Sequence, residues 1–243
     1  AKNVADAGPR TLRRLIDKSL ISVGRDGRYE IHDVLRQYAA EQLEMSGDPD
    51  RIHDLHSDYY LAALSKREAD LKEQRQIEAM DEIDRAFANI RTAWQWAVQH
   101  NHDDVLIRSI ESLYLFAMLS GRYQDGIELL GMAREQLVSC SHDEPTLGCS
   151  RLVTRLAGLQ LLNSAAYTQI EADLNRSLAL ARERTDRPET AFCLLQLGCY
   201  HCLVTRQPEV ASQFFEESLD VYRPLDDRFY TAVVLHWLER VKV

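Results

Sequence analysis

Between residues 177 and 238 the chain repeats itself at an offset of 41. Ser177-Leu178-Ala179-Leu180 is matched by Ser218-Leu219-Asp220-Val221, and Asp186-Arg187 by Asp227-Arg228. Thr190-Ala191 is matched by Thr231-Ala232, and Leu197 by Leu238. A looser unit runs from Gly121-Arg122-Tyr123 through Ile127, Leu130 and Ala133. A period of roughly 40 residues made of two amphipathic helices cannot bury its apolar faces one unit at a time, so the units must stack. This predicts an α-solenoid over residues 104–243, with the last unit cut short. Phe229 to Val243 supplies a first helix and no second. Its face, with Val233, Val234, Trp237 and Leu238, is therefore expected to lack an intramolecular partner and to self-associate or meet a missing repeat.

Upstream the pattern changes. Leu12, Leu15 and Ile16 recur at helical spacing, and Leu20 to Val23 is β-prone. Gly24-Arg25-Asp26-Gly27 is a turn signal with two glycines able to take positive φ, and Arg28 to Ile31 returns as a second strand. Asp33 is the expected N-cap of a helix over 34–44, with Leu35, Tyr38, Ala39 and Leu43 on one face. Ser46-Gly47-Asp48-Pro49 ends it. Helix, hairpin and helix form the last half of a winged helix, which needs more helices ahead of its wing than the short stretch preceding it can supply. The chain therefore reads as part of a larger protein: 1–46 the end of a winged-helix domain, 47–103 linking helices, 104–243 the repeats. In the linking region Ile52, Leu55, Tyr59, Ala62 and Ala63 mark one stripe; Ile77, Met80, Ile83, Phe87, Ile90, Trp94 and Ala97 mark another. The fold class expected is all-α with one small β-hairpin.

Composition narrows the function. With 10 Gly, 6 Pro and 45% hydrophobic residues the chain is that of a helical globular protein. It carries no apolar run of membrane-spanning length and no apolar stretch at its start, so a cytoplasmic location without membrane contact is expected. A net charge of −9 argues against nucleic-acid binding by the whole chain. Locally, however, Arg10, Arg13, Arg14, Lys18, Arg25 and Arg28 stand against only Asp17 and Asp26, and a winged helix can use such a patch on DNA. The five cysteines (Cys140, Cys149, Cys193, Cys199 and Cys202) are odd in number and irregularly spaced, as reduced thiols would be.

The residues Leu15-x-Asp17-Lys18-Ser19-Leu20-Ile21, then Gly27-Arg28-Tyr29-x-Ile31-His32-Asp33-x-Leu35-Arg36-Gln37-Tyr38-Ala39, resemble the winged-helix end of bacterial STAND or NB-ARC signal-transduction ATPases. Phe87 to Ala97 is similar to the linker helix that follows it, and the repeats look like the tetratricopeptide sensor arrays that end such proteins. The resemblance implies a non-catalytic interaction module that regulates an upstream nucleotide-binding domain, in signal transduction or transcription regulation. It implies that His32 sits where the family senses the β-phosphate of ADP. No G-x-x-x-x-G-K-[ST] occurs here, so no cofactor is expected in this chain; ATP or ADP would come with the upstream domain.

For the array, the resemblance places the first helix of each pair along a concave groove. Aligning Gly198 with Ala157 one repeat earlier gives Arg151, Thr154, Phe192, Leu195, Cys199, Cys202, Val233, His236 and Arg240 as its lining. That mixture suits a protein or peptide effector rather than a sugar or a metal. The Cys199-Tyr200-His201-Cys202 segment lacks the second ligand pair of a zinc site and the βαβ context of a redox site. His53 and His56 read as a solvated helix face, Trp94 as core, and Trp96 as an exposed contact residue. No nucleophile–base or acid–base pair emerges from spacing, so catalysis is not expected, and nucleic acid is the less favoured partner.

Overall fold

The computed structural model describes residues 2–5, 7–24, 27, 29–45, 47–140, 146–163 and 169–242. Arg25, Asp26 and Arg28 of the predicted basic patch lie outside them. The chain is all-α with one small hairpin. The first elements are α1 (Lys2–Ala5), α2 (Pro9–Asp17), β1 (Ser22–Val23), β2 (Tyr29–Glu30) and α3 (Asp33–Glu44). Pro9 opens α2, where its missing N–H costs nothing. The strands pair antiparallel, Ser22 with Glu30 and Val23 with Tyr29, and Gly27 takes the positive φ (78°) their connection needs. The cap of α3 falls one residue before the expected one. The His32 ring, not the Asp33 carboxylate, accepts the Val34 N–H (3.4 Å), leaving Asp33 in the first turn, where its charge favours the helix dipole.

The remaining helices are α4 (Pro49–Ser65), α5 (Glu68–Lys72), α6 (Gln76–Gln99), α7 (Asp103–Ser120) and α8 (Tyr123–Cys140), followed by α9 (Leu147–Leu162), α10 (Ile170–Glu183), α11 (Arg187–Leu203), α12 (Pro208–Tyr222) and α13 (Arg228–Val241). They pack as successive antiparallel pairs: α4 with α6, α7 with α8, α9 with α10, α11 with α12. The first helix of each pair also packs on the first helix of the next, from α4 through α7, α9 and α11 to α13. Stacking thus begins at α4, and the helices read as linkers share its register. The repeat is visible in detail. Asp186 caps α11 and Asp227 caps α13 with the same backbone angles (φ −79°, ψ 88°), each accepting the N–H three residues on.

One continuous core runs through the stack. Trp94 is fully buried and donates to the Leu129 carbonyl (2.8 Å), joining the first pair to the second. Outer helices are tied by a ladder of ion pairs: Arg91 of α6 to Asp125 and Glu128 of α8, Arg134 of α8 to Asp173 of α10, and Arg182 of α10 to Glu217 of α12.

Two predicted apolar faces are corrected. On α4 the buried positions are Ser57, Leu61 and Leu64, while Leu55 and Tyr59 are exposed. Leu61 and Leu64 meet α6 and α7, and the Ser57 hydroxyl reaches the Ala93 carbonyl (2.9 Å), so this face outcompetes the one read from the larger residues. Ile77, expected on the α6 stripe, is also exposed. On α13, Val234, Trp237 and Leu238 are buried against α12 and α11, so that face is not unpartnered; Leu235 is the large apolar residue there that stays exposed.

The N-terminal elements differ in kind from the array. Among the described residues up to Asp50 no side chain is buried. Ile16, Leu20, Val23, Tyr29, Val34, Tyr38 and Met45 are all exposed. On α2 the helical period puts Arg10, Arg13, Arg14 and Lys18 on one side and Leu12, Leu15 and Ile16 on the other.

Candidate functional site

The inner helices of a stacked array meet at its centre, and in an array built only for stability that region would be apolar. Here it is charged. Arg155, on α9 between Thr154 and Leu156, is buried with its guanidinium between Glu111 of α7 and Glu189 of α11. It lies 2.8 Å from Glu111, is hydrogen-bonded to Glu189, donates to the Thr154 hydroxyl (3.0 Å), and stacks over the Phe192 ring at 3.7 Å. Glu189 is 1% exposed and also accepts from the Thr154 hydroxyl (2.6 Å). Fully buried charges are rare unless paired, and both of these are.

The network crosses the whole array. The Tyr230 hydroxyl of α13 donates to Glu111, and Lys72 of α5 lies within 3.7 Å of Glu111 and 3.5 Å of Asp227. Lys72 also pairs with Glu68 (3.2 Å) and sits 4.9 Å from the Tyr230 ring centre. Burial alone would push the Glu111 carboxyl up; Arg155, Lys72 and the Tyr230 hydroxyl together hold it below the usual carboxylate value. Burial would pull the Lys72 ammonium down, but Glu111, Asp227 and Glu68 raise it. Both groups are therefore charged at neutral pH.

These residues border a cavity of about 440 Å³, lined by Glu68, Lys72, Arg108, Glu111, Arg151, Arg155, Glu189, Asp227 and Tyr230, among others. Four cations face four carboxylates across it. Such a lining suits a ligand with hydrogen-bonding groups of both signs.

The predicted groove residues divide. Arg151 lines the cavity, bonded to Asp186 at 2.8 Å. Thr154, Phe192, Leu195 and Cys199 are buried: Thr154 orients Glu189, Phe192 underlies Arg155, and Leu195 and Cys199 are core. Cys202 and Val233 are half-buried, while His236 and Arg240 are exposed beyond the cavity, Arg240 over the Trp237 ring (5.0 Å). Lys72, Glu111, Arg155, Glu189, Asp227 and Tyr230 were missed by the sequence reading. A signal existed for some of them: Glu111 and Arg155 are charges set in the Leu-rich middle of their helices.

Other candidates are placed plainly. His32 is exposed and caps α3. Burial pushes the Cys193 and Cys199 thiols well up, as for inert structural cysteines; the side chain of Cys140 lies outside the described residues. Among the described residues no group of three His, Cys, Asp or Glu is placed to hold a metal ion, and no helix is long and apolar enough to cross a membrane. His53 and His56 are not on a solvated face. Trp96 is half-buried and sandwiched between His53 (4.4 Å) and His100 (3.6 Å), with its indole N–H on Asp54 (2.9 Å), and His56 Nε2 lies 3.4 Å from Asn89 Oδ1.

The chain is similar to proteins from Mycobacterium bovis and two strains of Mycobacterium tuberculosis that are provisionally named HTH-type transcriptional regulators. Identity is 29% over 236 residues, covering 93% of this chain and 26% of each relative. The chain thus spans about a quarter of the length of these relatives. No protein family's sequence profile matches it, and no solved structure matches it.

Proposed function

We propose that this chain is a regulatory segment of a transcription regulator. In this reading the helical array receives an effector on its charged inner face, and residues 9–44 pass the change to the rest of the protein. The observation that carries it is the buried network from Lys72 to Asp227 around the cavity. Apolar replacements of buried ion pairs are often neutral or stabilising by about 1–4 kcal/mol, so stability alone does not favour charges there. The similarity to provisionally named transcriptional regulators supports the regulatory role. The reading is non-catalytic and places the protein in the cytoplasm. Nucleotide, if used, belongs to an upstream switch domain of tetratricopeptide-tailed STAND or NB-ARC type, with His32 as its reporter. The test is a transcription reporter driven by the full-length regulator. Arg108→Gln and Arg151→Gln, which line the cavity, are expected to change the response and leave the melting temperature within a degree or two of wild type. A wild-type response from both would refute the effector site.

A second reading has its own support and is the one the relatives' names favour: residues 9–44 contact DNA. Arg10, Arg13, Arg14 and Lys18 form an exposed basic face at α2, and with the relatives' names this supports nucleic acid, ranked second from the sequence, as a partner. It predicts duplex DNA binding by this chain that weakens with salt and falls when Arg13 and Arg14 become Gln. Absence of salt-sensitive binding would remove it.

A further inference from the structure

The curvature of the array brings its two ends face to face. Residues 65–74, around α5, lie opposite residues 225–229, at the start of α13, across an open cleft of about 1140 Å³. Ser65, Lys66, Glu73 and Gln74 line one wall; Leu225, Asp226, Arg228 and Phe229 line the other. The contact bridging them is polar: Lys72 Nζ to Asp227 Oδ2 at 3.5 Å, 155 residues apart in sequence. Lys72, Glu68 and Asp227 line both this cleft and the inner cavity. The joint is therefore the boundary between the two spaces.

We propose that the Lys72–Asp227 pair is a clasp that sets the curvature of the array and closes the inner cavity off from the cleft. The clasp stands whatever the array binds. Its construction suits a reversible joint. Asp227 divides its oxygens: Oδ1 caps α13 by accepting the Tyr230 N–H at 3.0 Å, and Oδ2 takes Lys72. Letting go of Lys72 therefore leaves the helix cap intact. Lys72 keeps Glu68 and Glu111 when Asp227 leaves, so opening does not leave the ammonium without a carboxylate. Both partners retain some solvent contact, their side chains being 18% and 24% exposed, so water and salt reach the joint.

Asp227→Asn separates the clasp from the cap, since asparagine caps helices as well as aspartate. The probe is the distance between spin labels on Gln74→Cys and Arg228→Cys, measured by pulsed electron resonance with Cys140, Cys149 and Cys202 replaced by serine. In the otherwise unaltered chain the distribution should be short and narrow at low salt. It should lengthen in about 1 M NaCl, where the screening length is about 3 Å. Asp227→Asn should give the longer, broader distribution at low salt and respond little to added salt. Lys72→Met should do the same, with far-UV circular dichroism confirming that each variant keeps its helices. An Asp227→Asn distribution that overlays the parent at low salt, or a parent that ignores salt, would overturn the clasp.

Discussion

Replacing Arg155 by Met should be among the most damaging single changes in the molecule, and its pH dependence should reveal why. The guanidinium is 8% exposed and joins Glu111 and Glu189, whose side chains are 15% and 1% exposed. Met fills much of the space over Phe192 but leaves two carboxylates facing each other without their shared cation. Breaking a buried pair in this way costs about 3–5 kcal/mol. At about 2–4 °C per kcal/mol for a chain of this size, the melting temperature should fall by roughly 6–20 °C. Glu111 sets the sign of the pH effect. Its folded-state pKa is held below the unfolded value, so its stabilisation is present above the unfolded pKa and lost as pH falls through the folded one. Without Arg155 part of that depression is lost, leaving only Lys72 and the Tyr230 hydroxyl, so acidification neutralises the Glu111 carboxyl at less cost in the variant. The deficit of the variant should therefore shrink between pH 7 and pH 4. Urea unfolding followed by circular dichroism at both pH values measures it. Adding Glu189→Gln to Arg155→Met should recover part of the loss at pH 7. A deficit below about 1 kcal/mol, the scale of an exposed pair, or one independent of pH, would refute the buried-network argument.

Other expectations follow from packing and titration. A methyl at Gly198 would lie 2.4 Å from Phe215 Cε1, and Phe215 is fully buried, so Gly198→Ala should cost about 1–3 kcal/mol by overpacking. Gly131 has nothing within 4 Å of an added methyl, so Gly131→Ala in α8 should instead stabilise by up to about 1 kcal/mol; chemical denaturation of the two variants gives opposite signs if the helix contacts are right. Burial lowers the His56 pKa, aided by His53 and opposed by the Asn89 contact. The neutral ring is thus favoured in the folded state, and its contribution to stability falls as pH drops below the ordinary value of 6.5. His56→Gln should flatten the stability profile just below that pH, and an unchanged profile would count against the buried geometry.

The stack was legible because its signal is repeated. The matched Asp-Arg pairs at 186–187 and 227–228 are two copies of one cap, and Leu197 and Leu238 repeat one core position. The hairpin was legible from Gly27, whose positive φ the turn requires. The faces of single helices were less so: on α4 the larger residues Leu55 and Tyr59 suggested one stripe, while two leucines and a small serine allowing close approach decided another. The inner site was least legible, because its partners are far apart in sequence. Lys72 and Asp227 are ordinary surface-type residues until curvature brings them together. Arg151 was found because it lies on the helix face that lines the groove. Phe192 and Leu195 lie on that helix set too, but beneath Arg155 and in the core, and periodicity alone does not separate a lining position from a supporting one.

The central claim is that a change on the inner face reaches residues 9–44. Hydrogen exchange of the intact chain, wild type against Asp227→Asn, tests it most directly. The account predicts altered protection in α4, α6 and the 29–44 segment, far from the substitution in sequence, together with the expected loosening near α5 and α13. Changes confined to α5 and α13, with exchange in 29–44 and α4 identical to wild type, would contradict it.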